Sequence, residues 1–401
     1  MSFYSEASLA YVASAGAGKD GKAYSMKPVD GTGDFTFSRG SNLAATRVGP
    51  TGLIEKGREN LILQSNQFDT TWTGNSSNRS ITSGFSGYDG TNNAWKLEAI
   101  SDNNYSVVNQ LVLSAGVETI SVYAKAGTSN AFRLQITGGV NTSASYFDLS
   151  GSGSVGANFN NIDAKIESVG NGWFRCSVTG NKTTSSSCVI YVIDAEGSTD
   201  VTTGKNIYIQ DAQLEIGLAA TDYIESGAST VKAGLLEDEP RFDYSGGATC
   251  PSLLLEPSRT QLCLNSEYYS GSDWISSNVT ITDNVTTSPE GVQNASLINF
   301  TSSGNYFQHN GPAIVSGATY TISCYVKRAI STDQVFKIYG NNNKASANLT
   351  ATSEWQRFTH TFTADSTNFA SGLSAPSTAQ IHLYGFQVEQ GSYPTSYIPN
   401  H

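Results

Sequence analysis

Apolar and polar residues alternate with a period of two through most of this chain, the pattern of a strand that buries one face. The clearest run is Thr119-Ile120-Ser121-Val122-Tyr123-Ala124-Lys125, followed by Ala131-Phe132-Arg133-Leu134-Gln135-Ile136. Trp173-Phe174-Arg175-Cys176-Ser177-Val178 and Cys188-Val189-Ile190-Tyr191-Val192-Ile193 carry the same signal. No stretch has the apolar spacing of a long amphipathic helix. The pattern predicts an all-β protein.

The landmarks then return in order, which predicts two copies of one module. The first copy opens at Arg58-Glu59-Asn60-Leu61-Ile62-Leu63 and reaches Trp72; the second opens at Arg259-Thr260-Gln261-Leu262-Cys263-Leu264 and reaches Trp274. Tyr320 to Lys327 answers the run at 119–125, and Trp355 to Phe362 answers the run at 173–178. Ile381 to Gly391, with Tyr397-Ile398-Pro399, answers Ile207 to Gly217 and Tyr223-Ile224. The spacing between copies falls from 202 at Trp72/Trp274 to 182 at Trp173/Trp355. The first copy therefore carries about twenty extra residues around Asn141–Asn160, where a surface loop or hairpin is expected. The expected organisation is an extended N-terminal arm over 1–57, module A over 58–226, a connector over 227–258 and module B over 259–401. Each module reads as an antiparallel β-sandwich of jelly-roll type.

Composition narrows the function. Only 14% of the 401 residues are charged and the net charge is −11. No basic stripe is present, which argues against a nucleic-acid partner. No apolar run approaches the length of a membrane span, so membrane insertion is not expected. The N-terminus lacks the basic and apolar regions of a signal peptide. Five widely spaced cysteines without a CxxC pair suggest neither a disulfide framework nor a zinc site, and fit assembly in a reducing cytoplasm.

Two groups of strings carry a resemblance. Asp34-Phe35-Thr36-Phe37-Ser38-Arg39-Gly40-Ser41, Ala45-Thr46-Arg47-Val48 and Gly52-Leu53-Ile54-Glu55 form the first. Pro240-Arg241-Phe242-Asp243-Tyr244 and Cys250-Pro251-Ser252-Leu253-Leu254-Leu255-Glu256-Pro257 form the second. They resemble tailed-bacteriophage fibre and spike proteins of tail or head, and the modules resemble their carbohydrate-binding-module-like jelly rolls. Such modules commonly end in a Gln-Leu-Glu-x-Gly strand and a Tyr-Ile-Pro tail. Module B ends that way; module A has Glu225 where the proline would be. The resemblance implies a virion structural protein made in the bacterial host cytoplasm, a homotrimer, docked to other virion proteins through residues 1–57 and presenting its modules to a host surface glycan.

No nucleophile elbow, zinc-helix motif or phosphate loop occurs. Glu215 and Glu389 occupy the same slot in both copies, which points to a scaffold role such as holding backbone N–H groups at a corner, so no enzyme is expected. Aromatics shared by both copies read as packing. Those in one copy or in polar, turn-like surroundings are candidates for glycan contact: Trp95, Tyr105, Tyr268, Tyr269 and Tyr306, with Phe307 beside the last. Contact with a neighbouring subunit is the equal alternative. No cofactor is expected; Asp102-Asn103-Asn104 offers calcium-type oxygens without a recognisable loop motif. Two other function classes stand beside the fibre reading. One is a purely structural decoration or adaptor protein of the capsid or tail; the other is an accessory binding module of a bacterial polysaccharide-degrading system.

Overall fold

Phe132, Leu134 and Ile136 fall on one side of their strand and Arg133 and Gln135 on the other, so only one face of that strand can enter a core. The computed structural model shows this division in strand after strand. It describes residues 18–19, 22–41, 45–74, 76–102, 105–138, 141–198, 200–247, 249–341 and 344–401. The chain forms two compact units: Glu59–Lys232, and a second assembled from the residues up to Arg58 together with Ala233–His401.

The first unit holds module A. Its strands are β1 (Arg79–Phe85), β2 (Ala94–Ala99), β3 (Ser106–Val112), β4 (Gly116–Ala126), β5 (Ala131–Gly138) and β6 (Asn141–Asp148). They continue as β7 (Ser154–Phe159), β8 (Asp163–Gly170), β9 (Trp173–Lys182), β10 (Ser186–Ile193) and β11 (Asn206–Ile216). One sheet has the order β7-β6-β5-β10-β3 and the other β8-β9-β4-β11-β2-β1, with antiparallel pairing throughout. Phe132, Leu134, Ile190 and Val108 from the first sheet meet Ile120, Val122, Val178 and Leu214 from the second in one buried core. β7 and β8 each lie at one edge of a sheet and widen this sandwich.

Module B repeats the plan. Its strands are β12 (Trp274–Ser277), β13 (Val279–Thr287), β14 (Gln293–Phe300), β15 (Tyr306–His309), β16 (Thr319–Arg328) and β17 (Gln334–Gly340). Then follow β18 (Lys344–Ala345), β19 (Leu349–Ala351), β20 (Gln356–Thr363), β21 (Ser371–Ser374) and β22 (Ala379–Gln390). Its sheets run β12-β15-β21-β17-β18, with β19 also on β17, and β13-β14-β22-β16-β20. The all-β tandem-sandwich expectation describes the molecule.

Corner chemistry is duplicated too. Glu215 accepts the Thr221 N–H at 2.8 Å and the Gln213 amide at 2.7 Å, and the Thr221 hydroxyl also donates to it. Glu389 accepts the Thr395 N–H at 2.7 Å, its hydroxyl at 2.8 Å and the Gln387 amide at 2.8 Å. Gln213 and Gln387 then take the N–H of Ile224 and Ile398, fastening each tail. Tyr223 and Tyr397 finish the closure through Ser65 and Ser266, each at 2.6 Å.

The last strand of each module bulges at one residue of positive φ, Asp211 at 52° and Gly385 at 62°. Asp211 takes the Tyr88 hydroxyl at 2.8 Å. Burial pushes its carboxyl up to about 6, although hydrogen bonds from Tyr88 and Tyr223 hold it down. A folded-state value above the unfolded one means that its contribution is fully present below pH 4 and is lost as pH rises through 6. Asp211→Asn should therefore stabilise the first unit by about 1–2 kcal/mol at pH 8, a gain that disappears near pH 4. Thermal melts at the two pH values check this; an equal gain at both would rule out titration as its source.

Of the expected arm over 1–57, residues 1–17, 20–21 and 42–44 are outside the described residues, and the described ones lie outside both sandwiches. The part from Ala45 is fastened to module B. The Thr46 hydroxyl donates to the Tyr397 carbonyl at 2.7 Å, and Asp243 accepts the Val48 N–H at 2.9 Å. Arg241 donates to the Thr46 carbonyl, to Glu256 and to Ser396 at 3.1, 2.8 and 2.6 Å. The strings around 45–48, 240–244 and 250–257 thus form one clasp. Beneath it Ile54 is buried with Ala295, Tyr384 and Tyr397. Lys56 is buried between Glu267 and Glu290 at 3.3 and 3.2 Å.

Candidate functional site

The outer face of the module A sheet β7-β6-β5-β10-β3 gathers the side chains that the core excludes. Arg133 on β5 is directly opposite Tyr146 on β6 and Tyr191 on β10. Its guanidinium lies 5.7 Å from the Tyr146 ring centroid, 5.5 Å from Phe159 and 5.4 Å from Tyr191. Tyr105, just before β3, stands edge-on to Tyr191 at 6.2 Å. Tyr105 and Phe159 are 54% and 41% exposed while Tyr146 is buried, so the cluster presents its outer rings to solvent. Gln135, one row along, is buried beside the Tyr191 hydroxyl. Burial raises that hydroxyl above its usual range despite Arg133, so it stays protonated at ordinary pH.

At the other end of the row a pocket of about 320 Å³ opens beside Tyr146, lined by Asn130, Asp148, Ser154, Gly156 and Glu196 among others. Flat rings, a guanidinium, an amide and a polar pocket on a rigid sheet can stack against a pyranose and hydrogen-bond its hydroxyls. Module B makes the comparison internal. Its β17–β21 pairing sets Ile338 against Leu373, as β5–β10 sets Leu134 against Ile190, so Lys337 and Ser374 occupy the places of Arg133 and Tyr191. The sandwich folds without the ring cluster.

The aromatics expected from sequence are placed differently from one another. Tyr105 belongs to this face, and Tyr306, 38% exposed, lies on the corresponding face of module B near Tyr339 and Gln308. Burial removes Trp95, Tyr269 and Phe307 from any ligand surface. Trp95 packs edge-on to Phe68 in the module A core and donates to the Asn66 carbonyl at 2.9 Å. Module B has Ser296 there but Phe386 where module A has Ala212, so aromatic bulk is traded between two core positions. Tyr269 and Phe307 pack with Trp274 in the module B core. Tyr268 is half-buried against Gly271. Asp102 accepts the Thr203 N–H at 2.7 Å, while Asn103 and Asn104 lie outside the described residues. Among the described residues no group of three or more His, Cys, Asp or Glu could hold a metal ion.

Arg133, Gln135, Tyr146, Phe159 and Tyr191 escaped the sequence reading. The signal that could have found Phe159 is the greater length of the first copy, because β7, which carries it, has no counterpart in module B.

The fold defines the class: an all-β protein of two antiparallel β-sandwich modules. No family model and no curated protein sequence matches the chain. Among solved structures it is similar to the tandem CBM22 domains of Xyn10C from Paenibacillus barcinonensis, at 11% identity and a TM-score of 0.27, covering 83% of this chain and 98% of that one. It is also similar to the CBM22-1 and GH10 modules of xylanase 10B from Clostridium thermocellum, at 13% identity and 0.28, covering 35% and 30%. The enzymatically active domain of tailspike protein 4 from bacteriophage CBA120 is similar at 10% identity and 0.25, covering 33% and 21%. This chain therefore spans less than a third of the last two structures. At these values the likenesses carry no argument about ligand or role.

Proposed function

We propose that this chain is a non-enzymatic virion protein of the fibre or spike kind, with module A binding a glycan of the host surface. The observation that carries the glycan part is the Arg133 ring cluster, which is half-exposed, mounted on paired strands and absent from the copy that shares its scaffold. The strings at 34–55 and 240–257 support the virion part through their resemblance to fibre and spike proteins. Docking to other virion proteins falls to the N-terminal stretch, where Tyr24, Met26, Val29 and Phe35 are exposed. Those exposed apolar residues equally favour the second reading, a decoration or adaptor protein whose partners are all proteins.

Glycan binding by the full chain separates the two. Tyr191→Ala and Tyr105→Ala should each weaken binding about 3- to 10-fold, since each removes a stacking ring. Trp95→Ala should lower stability instead. No affinity for any glycan would leave the adaptor reading. Immunogold labelling of purified particles with an antibody to module B tests the virion part, and unlabelled particles would favour an accessory module of a polysaccharide-degrading system.

A further inference from the structure

We infer that the sugar bound on this face carries a carboxylate, a uronic or nonulosonic acid, and that Arg133 is its partner; the inference rests on the glycan reading above. Four arginines among the described residues lie over tyrosine rings in this way, and one of them, Arg259 at 5.5 Å from Tyr393, donates to the Gln390 carbonyl beside Glu389. Arg175 lies 5.5 Å from Tyr123 and donates to Ser121 at 3.2 Å and to the Thr221 carbonyl. Arg357 lies 5.5 Å from Tyr325 and donates to Ser323 and to the Thr395 carbonyl at 2.9 and 2.7 Å. Both are structural arginines with an Nη group already bonded, although Nε has no partner in either. Arg133 has the rings and nothing else: among the described residues no carboxylate or other acceptor bonds to its guanidinium.

A guanidinium held by aromatic faces keeps its in-plane donors free. Nε is shielded and without a partner, which leaves the Nη groups as the donors open to solvent. Two parallel N–H groups on a planar cation match one carboxylate in a bidentate pair, a geometry that an ammonium cannot supply. Gln135 adds a second free function, because its shielded Oε1 has no donor and suits a sugar hydroxyl within reach of a small rearrangement. The charges around the face set the orientation. Asp148 and Glu196 line the pocket at the far end and repel an anion, so the carboxylate belongs at the Arg133–Gln135 end with the ring over Tyr191 and Tyr105. A chain of net charge −11 with one unpaired guanidinium on this face suits a single anionic group per sugar, not a polyphosphate backbone.

The test uses the full chain and four acidic polymers, namely hyaluronan, alginate, polygalacturonate and polysialate, each paired with its carboxyl-reduced form. Neutral xylan, glucan and galactan complete the panel, and calorimetry measures affinity. At least one acidic polymer should bind about tenfold or more tightly than its reduced partner. Arg133→Gln should erase that preference and Arg133→Lys should keep part of it, with unchanged melting temperatures showing that both variants fold. Equal affinity for acid and reduced forms, a preference that survives Arg133→Gln, or binding of neutral polymers alone would overturn the carboxylate assignment and leave the glycan reading intact. Binding of no polymer at all would overturn both.

Discussion

Lys56→Met should lower the stability of the second unit by about 3–5 kcal/mol, because it leaves two buried carboxylates without their shared cation. Burial alone would depress the lysine, but Glu267 and Glu290 outweigh it and hold Lys56 charged well above its ordinary range. Asn294 donates to both carboxylates at 3.3 and 2.8 Å, and the hydroxyls of Tyr397 and Tyr384 each donate to one at 3.0 Å. Methionine nearly matches the lysine stem in volume, so charge and not packing is what changes. A lysine with a raised folded-state value stabilises fully below its unfolded value near pH 10.5, and the contribution is lost as pH rises through the higher folded value. Denaturant unfolding followed by fluorescence should show the second unit's transition moving while that of Glu59–Lys232 holds still. Adding Glu267→Gln and Glu290→Gln should restore part of the loss, since neutral amides no longer need the cation. A shift below about 0.5 kcal/mol for the single variant would mean that water reaches the cluster and the burial argument fails.

Glu389→Ala should cost the same unit about 3 kcal/mol, and Glu215→Ala should cost the first unit a similar amount. Each carboxylate is the shortest-range acceptor for several buried donors: a side-chain amide, a threonine N–H and the same threonine's hydroxyl. Removing it strands buried donors, which is worse than losing one hydrogen bond. Burial raises the Glu215 carboxyl above the usual carboxylate value, while hydrogen bonds from Thr221 and Gln213 hold it down. Glu389→Gln should also destabilise, by about 1–2 kcal/mol, because its own amide would face the Gln387 amide, donor against donor. Paired melts are the readout: each substitution must move only its own unit. Glu389→Ala with unchanged stability would show that the corner does not depend on this acceptor.

The duplication, the sandwich class and the structural role of Glu215 and Glu389 were legible because they depend on local alternation and on one slot recurring in two copies. The ring cluster was not. Arg133 alternates with Phe132 and Leu134 like any outward residue, and its partners come from strands that the sheet order makes neighbours, not from adjacent sequence. Trp95 misled for a related reason: an aromatic found in one copy reads as function until the exchange with Phe386 is visible. The buried side of a strand can be inferred from its own residues, but which outward residues meet is decided by pairing. The clasp from Ala45 was hidden similarly, since Thr46 and Tyr397 are 351 residues apart.

That separation has a consequence for how the chain is made. Module A is inserted between the two halves of the other unit, so during synthesis it can emerge and fold while the strand Ile54–Asn60 has Thr46–Val48 beside it but still lacks the partners made later. Glu267 and Glu290 leave the ribosome more than two hundred residues after Lys56, and Tyr397 later still. Until then the ribosome-bound chain carries one finished β-sandwich and an unfinished one, and an exposed Ile54 and Lys56 must wait. A host that translates the second half slowly would lengthen that wait, and the yield of assembled protein would depend on codon speed beyond Lys232 more than on anything before it.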